Sequence, residues 1–247
     1  MLAGAAFFFA LFVALGTWQV QRLGWKHDLI ARVDARVHAA PVAAPALPRW
    51  PAINREADEY LRVALDGRFL HDKEALVQAS TERGAGFWVL TPLQRADGSF
   101  VLVNRGFVPP ERRDPARRSP TPAGQVHVQG LLRLTEPGGG FLRHNDPAAD
   151  RWHSRDVAAI AASRGLPAER VAPYFVDAEA APGNPADASP VPGLTVIRFT
   201  DNHLVYAITW YGLALMAAAA GWYVRRTDRA GHAAGDNGPS DPPDPHP

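Results

Sequence analysis

Few side chains in this sequence could do chemistry. None of the 247 residues is a cysteine, which excludes disulfide staples, thiolate metal sites, iron–sulfur clusters and thiol nucleophiles. There is no G-x-S-x-G elbow, no H-E-x-x-H pair and no G-x-x-x-x-G-K phosphate loop, so no catalytic residue is predicted and the chain reads as a non-enzyme. Gly138-Gly139-Gly140 follows Pro137 without a strand–loop–helix context and reads as a flexible turn rather than a phosphate cradle. His71, His127, His144 and His153 stand apart from one another. They read as polar surface or loop histidines rather than zinc ligands. Arg112, Arg113, Arg117 and Arg118 cluster between Pro110 and Pro120, diluted by Glu111 and Asp114. They form either a solvated loop or a docking surface for an acidic partner or lipid head groups.

His203 is set differently, directly before a long apolar run. Ionisable side chains at membrane depth are costly and are usually kept for function. Helical spacing from His203 reaches Ala207, Trp210, Ala214, Ala217 and Gly221, a face of mostly small residues. Near the other end of the chain Ala3, Ala6, Ala10 and Ala14 recur at similar spacing. Small faces admit a second helix or a flat ligand. A neutral imidazole beside a narrow apolar groove suits axial ligation of a haem iron, with Tyr206 and Trp210 one and two turns along. Equally, the residue can be a capping or interfacial histidine that marks the water boundary. Ligation requires a second group to fix the tautomer. Asp201 and Asn202 are adjacent in sequence, but consecutive helix positions do not face each other.

The elements that would hold these residues begin with two apolar runs. Residues 1–21 are almost free of polar side chains, and about 20 helical residues cross the roughly 30 Å of bilayer hydrocarbon. A cleaved signal peptide is the alternative, since Ala14-x-Gly16 is a tolerable cleavage site, although no basic segment precedes the apolar stretch. Residues 204–224 form the second run, with Thr209 its one strictly polar side chain and Arg225, Arg226 and Arg229 beyond it. Those arginines predict a cytoplasmic C-terminus, hence two cytoplasmic termini and an outer central domain. Arg22, Lys26, Arg32 and Arg36 argue the opposite way. The run begins almost at Met1, which leaves open whether a basic stretch precedes it.

The predicted organisation is a first transmembrane helix over 1–21, an amphipathic helix and linker over 22–59, a β-rich domain over 60–177, a linker over 178–202, a second transmembrane helix over 203–224 and a disordered cytoplasmic tail over 225–247. The β reading rests on alternation. Leu61, Val63 and Leu65 alternate with polar or small neighbours until Gly67, which is expected to break the strand. A weaker strand covers 75–79, and residues 86–107 form a hairpin turning at Asp97-Gly98. Within it Val101 and Val103 are assigned to the core face, Leu102 and Asn104 to the other. Residues 125–134 alternate again, Ser154 is expected to cap a helix over 155–163 ahead of Gly165, and 174–176 form a short strand. The fold class is an α+β membrane protein whose β-rich extracytoplasmic domain has the strand inventory of a partly closed barrel. A formal charge of +1, from 26 basic and 25 acidic residues, argues against a nucleic-acid binder and against an acidic disordered chain.

The ends carry recognisable signatures. Gly16-Thr17-Trp18-Gln19-Val20-Gln21-Arg22-Leu23-Gly24-Trp25-Lys26 and Asn202-His203-Leu204-Val205-Tyr206-Ala207-Ile208-Thr209-Trp210 resemble the two membrane signatures of the Surfeit-one family of cytochrome c oxidase assembly factors. Thr91-Pro92-Leu93 and Val101-Leu102-Val103-Asn104-Arg105-Gly106-Phe107-Val108-Pro109 resemble its central hairpin, with Phe107 where tryptophan is usual. Asn145-Asp146-Pro147 with Trp152, and Tyr174-Phe175-Val176-Asp177, are weaker landmarks. The resemblance implies an inner-membrane factor that binds haem a as cargo and delivers it to the oxidase catalytic subunit. His203 would be the axial ligand, and Trp18 would join Trp210 and Tyr206 at the site. Partners would be the catalytic subunit, haem a synthase and membrane lipid, with no nucleic acid. The alternative is a structural assembly factor that stabilises an oxidase subunit without haem.

Overall fold

The computed structural model describes residues 2–121, 123–140, 142–180, 188–194 and 202–235. The chain divides into two compact units, residues 1–31 with 198–247, and residues 32–197.

The first unit is built from helix α1 (Leu2–His38), as far as Ala31, and helix α4 (His203–Gly235), both long and apolar enough to cross a membrane. Partner positions rise along one helix as they fall along the other, so the pair is antiparallel. Gly221 meets Ala5, Trp210 stacks on Phe12 at 5.8 Å, Tyr211 covers Gly16, and His203 meets Gln19. Ala207 and Ala214 are each 3% exposed, so the small face of α4 packs as expected. The alanine stripe of α1 does not: Ala3, Ala6, Ala10 and Ala14 are exposed, and the contact face is Ala5, Phe12, Gly16 and Gln19. Large residues at Phe12 and Gln19 interlock with α4, and the thin alanine stripe turns outward.

The helices are longer than expected. The first span and the amphipathic segment are one 37-residue helix, because no proline interrupts residues 2–38 and the isolated Gly24 costs only about 1 kcal/mol. The second runs through Gly235, past the expected onset of disorder at Arg225, since the first proline of the tail is Pro239. Residues 236–247 lie outside the described residues.

The second unit is a barrel. Its strands are β1 (Val42–Ala43), β2 (Arg62–Phe69), β3 (Ala75–Thr81), β4 (Gly84–Gln94), β5 (Phe100–Val108), β6 (Gln125–Leu134), the two-residue β7 (Gly139–Gly140) and β8 (Arg143–His144), and β9 (Val171–Ala178). The order is β1-β2-β6-β9-β5-β4-β3, with β4 also paired to β2. That pairing closes five strands, β2-β6-β9-β5-β4, into a ring, so the barrel is complete rather than partial. Gly67 makes the closure. Instead of ending β2 it lies within it, where a Cβ would strike the Gln94 carbonyl. The missing side chain lets β2 bend from β6 onto β4, pairing Arg68 with Gln94 and Phe69 with Leu93.

The β4–β5 hairpin turns as expected. Gly98 has φ 76°, and the Asp97 carboxylate accepts from the Ser99 amide at 2.9 Å. Its faces need a correction. Val101 and Val103 point into the barrel with Val63, Leu65, Leu93, Leu132, Tyr174 and Val176. Leu102 is not on a solvent face: it is 0% exposed, in a second core with Val77, Leu90, Trp152, Ile160 and Phe175 beneath helix α3 (Val157–Ser163). Strand β5 is therefore buried on both sides. Helix α3 begins two residues late because Asp156, not Ser154, accepts from the Ala159 amide. Ser154 Oγ instead donates to the Glu136 carbonyl at 2.6 Å. The segment expected as a linker before the barrel is partly structural. Short helix α2 (Arg55–Asp58) is capped by Asn54, and the Pro45 carbonyl accepts from Tyr174 Oη at 2.8 Å, Trp50 Nε1 at 3.1 Å and Arg95 Nη1 at 3.3 Å.

Candidate functional site

Within the helical unit His203 opens α4, and its Nδ1 lies 2.7 Å from Oε1 of Gln19. An amide oxygen only accepts, so Nδ1 carries the hydrogen and the basic lone pair sits on Nε2. Gln19 is 9% exposed. A buried amide in a helix pair needs a partner, and the pairing satisfies it. The group that fixes the tautomer thus comes from the other helix. Of the two neighbours considered from sequence, Asn202 gives its carbonyl to the Tyr206 amide at 3.2 Å, and Asp201 lies outside the described residues. Sequence reasoning overlooked Gln19, although it stands three residues after Gly16, on the same helical face, inside an apolar run.

The remaining expected site residues separate into two groups. Trp210 shares the packed face with His203 and stacks on Phe12 with an interplanar angle of 27°. Tyr206 and Trp18 are 53% and 54% exposed and stand away from the inter-helix seam. Next to Gln19, Thr17 Oγ1 lies 3.2 Å from Tyr211 Oη and also donates to the Val13 carbonyl. The donor set at His203, one half-buried imidazole of fixed tautomer, fits a single axial metal ligand. The expected slot between two small faces is filled instead, because α1 covers the alanine and glycine face of α4.

The barrel holds a polar cluster that sequence reasoning did not find. Asp177, at the end of β9, accepts from Asn104 Nδ2 at 2.7 Å and from Arg133 Nη1 at 3.1 Å, with Arg155 Nη1 at 3.4 Å. Arg155 also grips Glu136 through Nε at 3.0 Å and Nη2 at 2.5 Å. Burial opposes the Arg155 charge, but Asp177 and Glu136 outweigh it and hold the guanidinium above its ordinary pKa. Burial likewise disfavours the Glu136 anion, yet Arg155 holds that carboxyl below the usual range. This set of paired charges ties β5, β6 and β9 together. The landmark at Asn145 is structural too: its Oδ1 accepts from the His153 and Ser154 amides at 2.8 and 3.2 Å. Trp152, 1% exposed, plugs the second core.

The arginine loop is not uniformly a surface. The Arg118 side chain is 3% exposed, pairs with Glu74 at 2.8 Å, and donates to the Arg112 and Arg113 carbonyls. Arg113 lies over the Phe87 ring. The glycine triplet forms a small hairpin, β7 with β8. His127 pairs with Asp66 at 2.8 Å.

Residues 6–215 match the SURF1 family. Surfeit locus protein 1 of Homo sapiens is 37% identical over 220 residues, which cover 81% of this chain and 69% of the relative. A SURF1-like protein of Monosiga brevicollis is 36% identical over 225 residues, 86% and 82% of the two chains. One of Drosophila melanogaster is 33% identical over 231 residues, 85% and 72%. The family match takes in Gln19, His203 and every barrel strand, and on that extent the chain belongs to the SURF1 family of cytochrome oxidase assembly factors.

Proposed function

We propose that this chain binds haem a at His203 and hands it to the catalytic subunit of a haem–copper cytochrome c oxidase. It would do so in a bacterial inner membrane, with both termini cytoplasmic and the barrel on the outer side. The observation that carries this reading is the Gln19–His203 pair at 2.7 Å. A hydrogen held on Nδ1 directs the Nε2 lone pair toward a metal, the arrangement in which a second group orients a ligating histidine. Haem iron, when bound, supplies the electrophile that this lone pair would meet. The exposed rings of Trp18 and Tyr206 offer flat surfaces for a macrocycle on the outer side of the helix pair, and a membrane-embedded haem a synthase is the source that this placement suits. No step of bond making or breaking in the cargo is assigned to the chain.

A second reading has its own support. The α1–α4 seam is closed by Phe12 stacked on Trp210 and by Gly16 under Tyr211. A factor that steadies an oxidase subunit without haem needs only such a rigid anchor and the barrel. Protein purified in detergent from a haem-a-producing host separates the two. A Soret band in stoichiometric amount supports the first reading. Co-purification with oxidase subunits and no Soret band supports the second.

A further inference from the structure

The barrel wall has one seam where strand pairing stops. β6 pairs with β9 over residues 130–134, and the Gln129 carbonyl still accepts from the Glu179 amide at 2.9 Å, whereas residues 125–128 pair with β2 alone. β9 ends at Ala178. Residues 178–180 and 188–192 border the seam beyond it, with Val191 and Phe107 exchanging backbone hydrogen bonds at 2.8 and 2.9 Å. A cavity of about 490 Å³ opens here and is lined by Phe69, Val126 and Val128, a volume in the range of small-ligand sites.

Arg105 of β5 also lines this cavity, with its guanidinium 5.3 Å from the centre of the Phe69 ring. It has no ion pair. Its polar contact is His71 Nδ1 at 3.4 Å. The nearby carboxylate, Glu74, is taken by Arg118 at 2.8 and 3.0 Å. Burial pushes the Arg105 pKa below the ordinary arginine value, and Glu74 only partly offsets it. An arginine remains charged even so, so among the described residues this cation is desolvated without a counter-ion. Ser189, on the same lining, is 3% exposed, and its Oγ has no hydrogen-bond partner among the described residues. Arg62, the other arginine of the lining, is paired with Glu179 at 2.7 Å, and His127 is hydrogen-bonded to Asp66 at 2.8 Å.

We propose that this cavity binds a small organic monocarboxylate, held at its head by Arg105 and Ser189 Oγ, with its apolar body on Phe69, Val126 and Val128. The charge count selects the class. One uncompensated guanidinium and one unpaired hydroxyl match a single carboxylate, for which the arginine fork is shaped. A phosphate dianion would require a second free cation, and Arg62 is already taken. A neutral apolar ligand would leave Arg105 and Ser189 buried and unsatisfied, a costly arrangement. This site does not involve His203, and its test does not depend on haem.

The experiment uses the full chain in lipid nanodiscs and 2-naphthoate as the probe, followed by saturation-transfer NMR and calorimetry against empty nanodiscs. The expected result is saturable binding of 2-naphthoate, displaced by decanoate, with little binding of the neutral 2-naphthamide. Arg105→Gln should weaken it about tenfold or more, the size of one charge-assisted contact. Ser189→Ala should weaken it several-fold, while Arg68→Gln on the exposed outer face should leave it unchanged. Arg105→Lys guards against a folding artefact, since it keeps the charge and should retain part of the affinity. Equal binding of naphthoate and naphthamide, or full affinity in Arg105→Gln, would overturn the proposal. So would a lack of saturable binding, or displacement by inorganic phosphate but not by decanoate.

Discussion

Gln19 Oε1 and His203 Nδ1 meet at 2.7 Å across the helix pair, although 184 residues separate them in sequence. The pair joins the two family signatures at one atom-to-atom contact, and it makes the glutamine a positioning residue for the imidazole. Gln19→Leu keeps similar volume but removes the acceptor. It should leave membrane insertion intact and lower haem occupancy by roughly 10- to 100-fold, the usual cost of losing the group that orients a metal-binding histidine. His203→Ala should abolish the haem spectrum, and His203→Met should shift it, since a thioether changes the field at iron. Gln19→Glu restores an acceptor and should recover part of the occupancy. A haem spectrum and oxidase yield unchanged in both His203→Ala and Gln19→Leu would remove this pair from the mechanism and leave the haem-free assembly reading.

Leu102 tests the two-sided burial of β5. A hairpin with one solvent face would tolerate Leu102→Ala with little loss. Here Leu102 packs in the α3 core with Trp152 and Phe175, so the truncation should cost about 2–5 kcal/mol. Val101→Ala and Val103→Ala remove less volume from the barrel interior and should cost less. Chemical denaturation of the three variants provides the comparison. A Leu102→Ala variant as stable as the wild type would contradict the second core.

What the sequence displays is local, and what it hides depends on distant partners. Alternation at 125–134 marks β6 end to end, and Asp97-Gly98 marks the hairpin turn, because each signal lies inside the element it predicts. Gly67 misleads because a glycine in a strand either stops it or bends it, and only the Gln94 carbonyl across the barrel decides which. Leu102 misleads for the same reason: alternation tells which side chains share a face and not what covers that face. The Asp177 cluster draws on Asn104, 73 positions away, and Arg133, 44 positions away, and no spacing rule reaches so far. The place of His203 at the start of α4 was legible from its position just before the apolar run. The phase of α1 was not: the alanine stripe and the true contact face both repeat at helical spacing but lie on nearly opposite sides of the helix, and only the partner helix decides which is buried.

Tyr174 gives the barrel an alkaline limit. Burial raises its hydroxyl from an ordinary pKa of 10.0 to about 12, and its Oη donates to the Pro45 carbonyl. The sign follows from linkage. Below pH 10 the phenol is neutral in both folded and unfolded chains, and its contribution is fully present. As pH rises from 10 toward 12 the unfolded chain ionises first, and stability falls by at most about 1.4 kcal/mol per pH unit, for a total on the order of 2–3 kcal/mol. Tyr174→Phe should be less stable at neutral pH by roughly 1 kcal/mol for the lost hydrogen bond. It should also show a shallower decline above pH 10. Parallel alkaline declines in the two proteins would show that this phenol does not set the limit.

The charge pattern fixes an expected orientation. Arg225 and Arg226 lie just past the apolar part of α4, and Arg229 follows within a turn. Basic residues close to a span resist translocation, so they favour a cytoplasmic C-terminus. An antiparallel pair then returns the start of α1 to the same side and carries the barrel across. Arg22, Lys26, Arg32 and Arg36 follow the first span and pull the other way, so the outcome depends on which cluster dominates insertion. Once the domain has folded, Arg36 is occupied, donating to the Glu56 and Glu59 carbonyls at 2.5 and 3.2 Å. A reporter active only on the outer side should be silent when fused after Pro247 and active when inserted near Ala116, an exposed position in the arginine loop. Replacing Arg225, Arg226 and Arg229 together by Gln should weaken that asymmetry, giving a mixed signal at both sites. Strong outer-side activity at Pro247 in the unmodified chain would reverse the orientation and place the barrel in the cytoplasm.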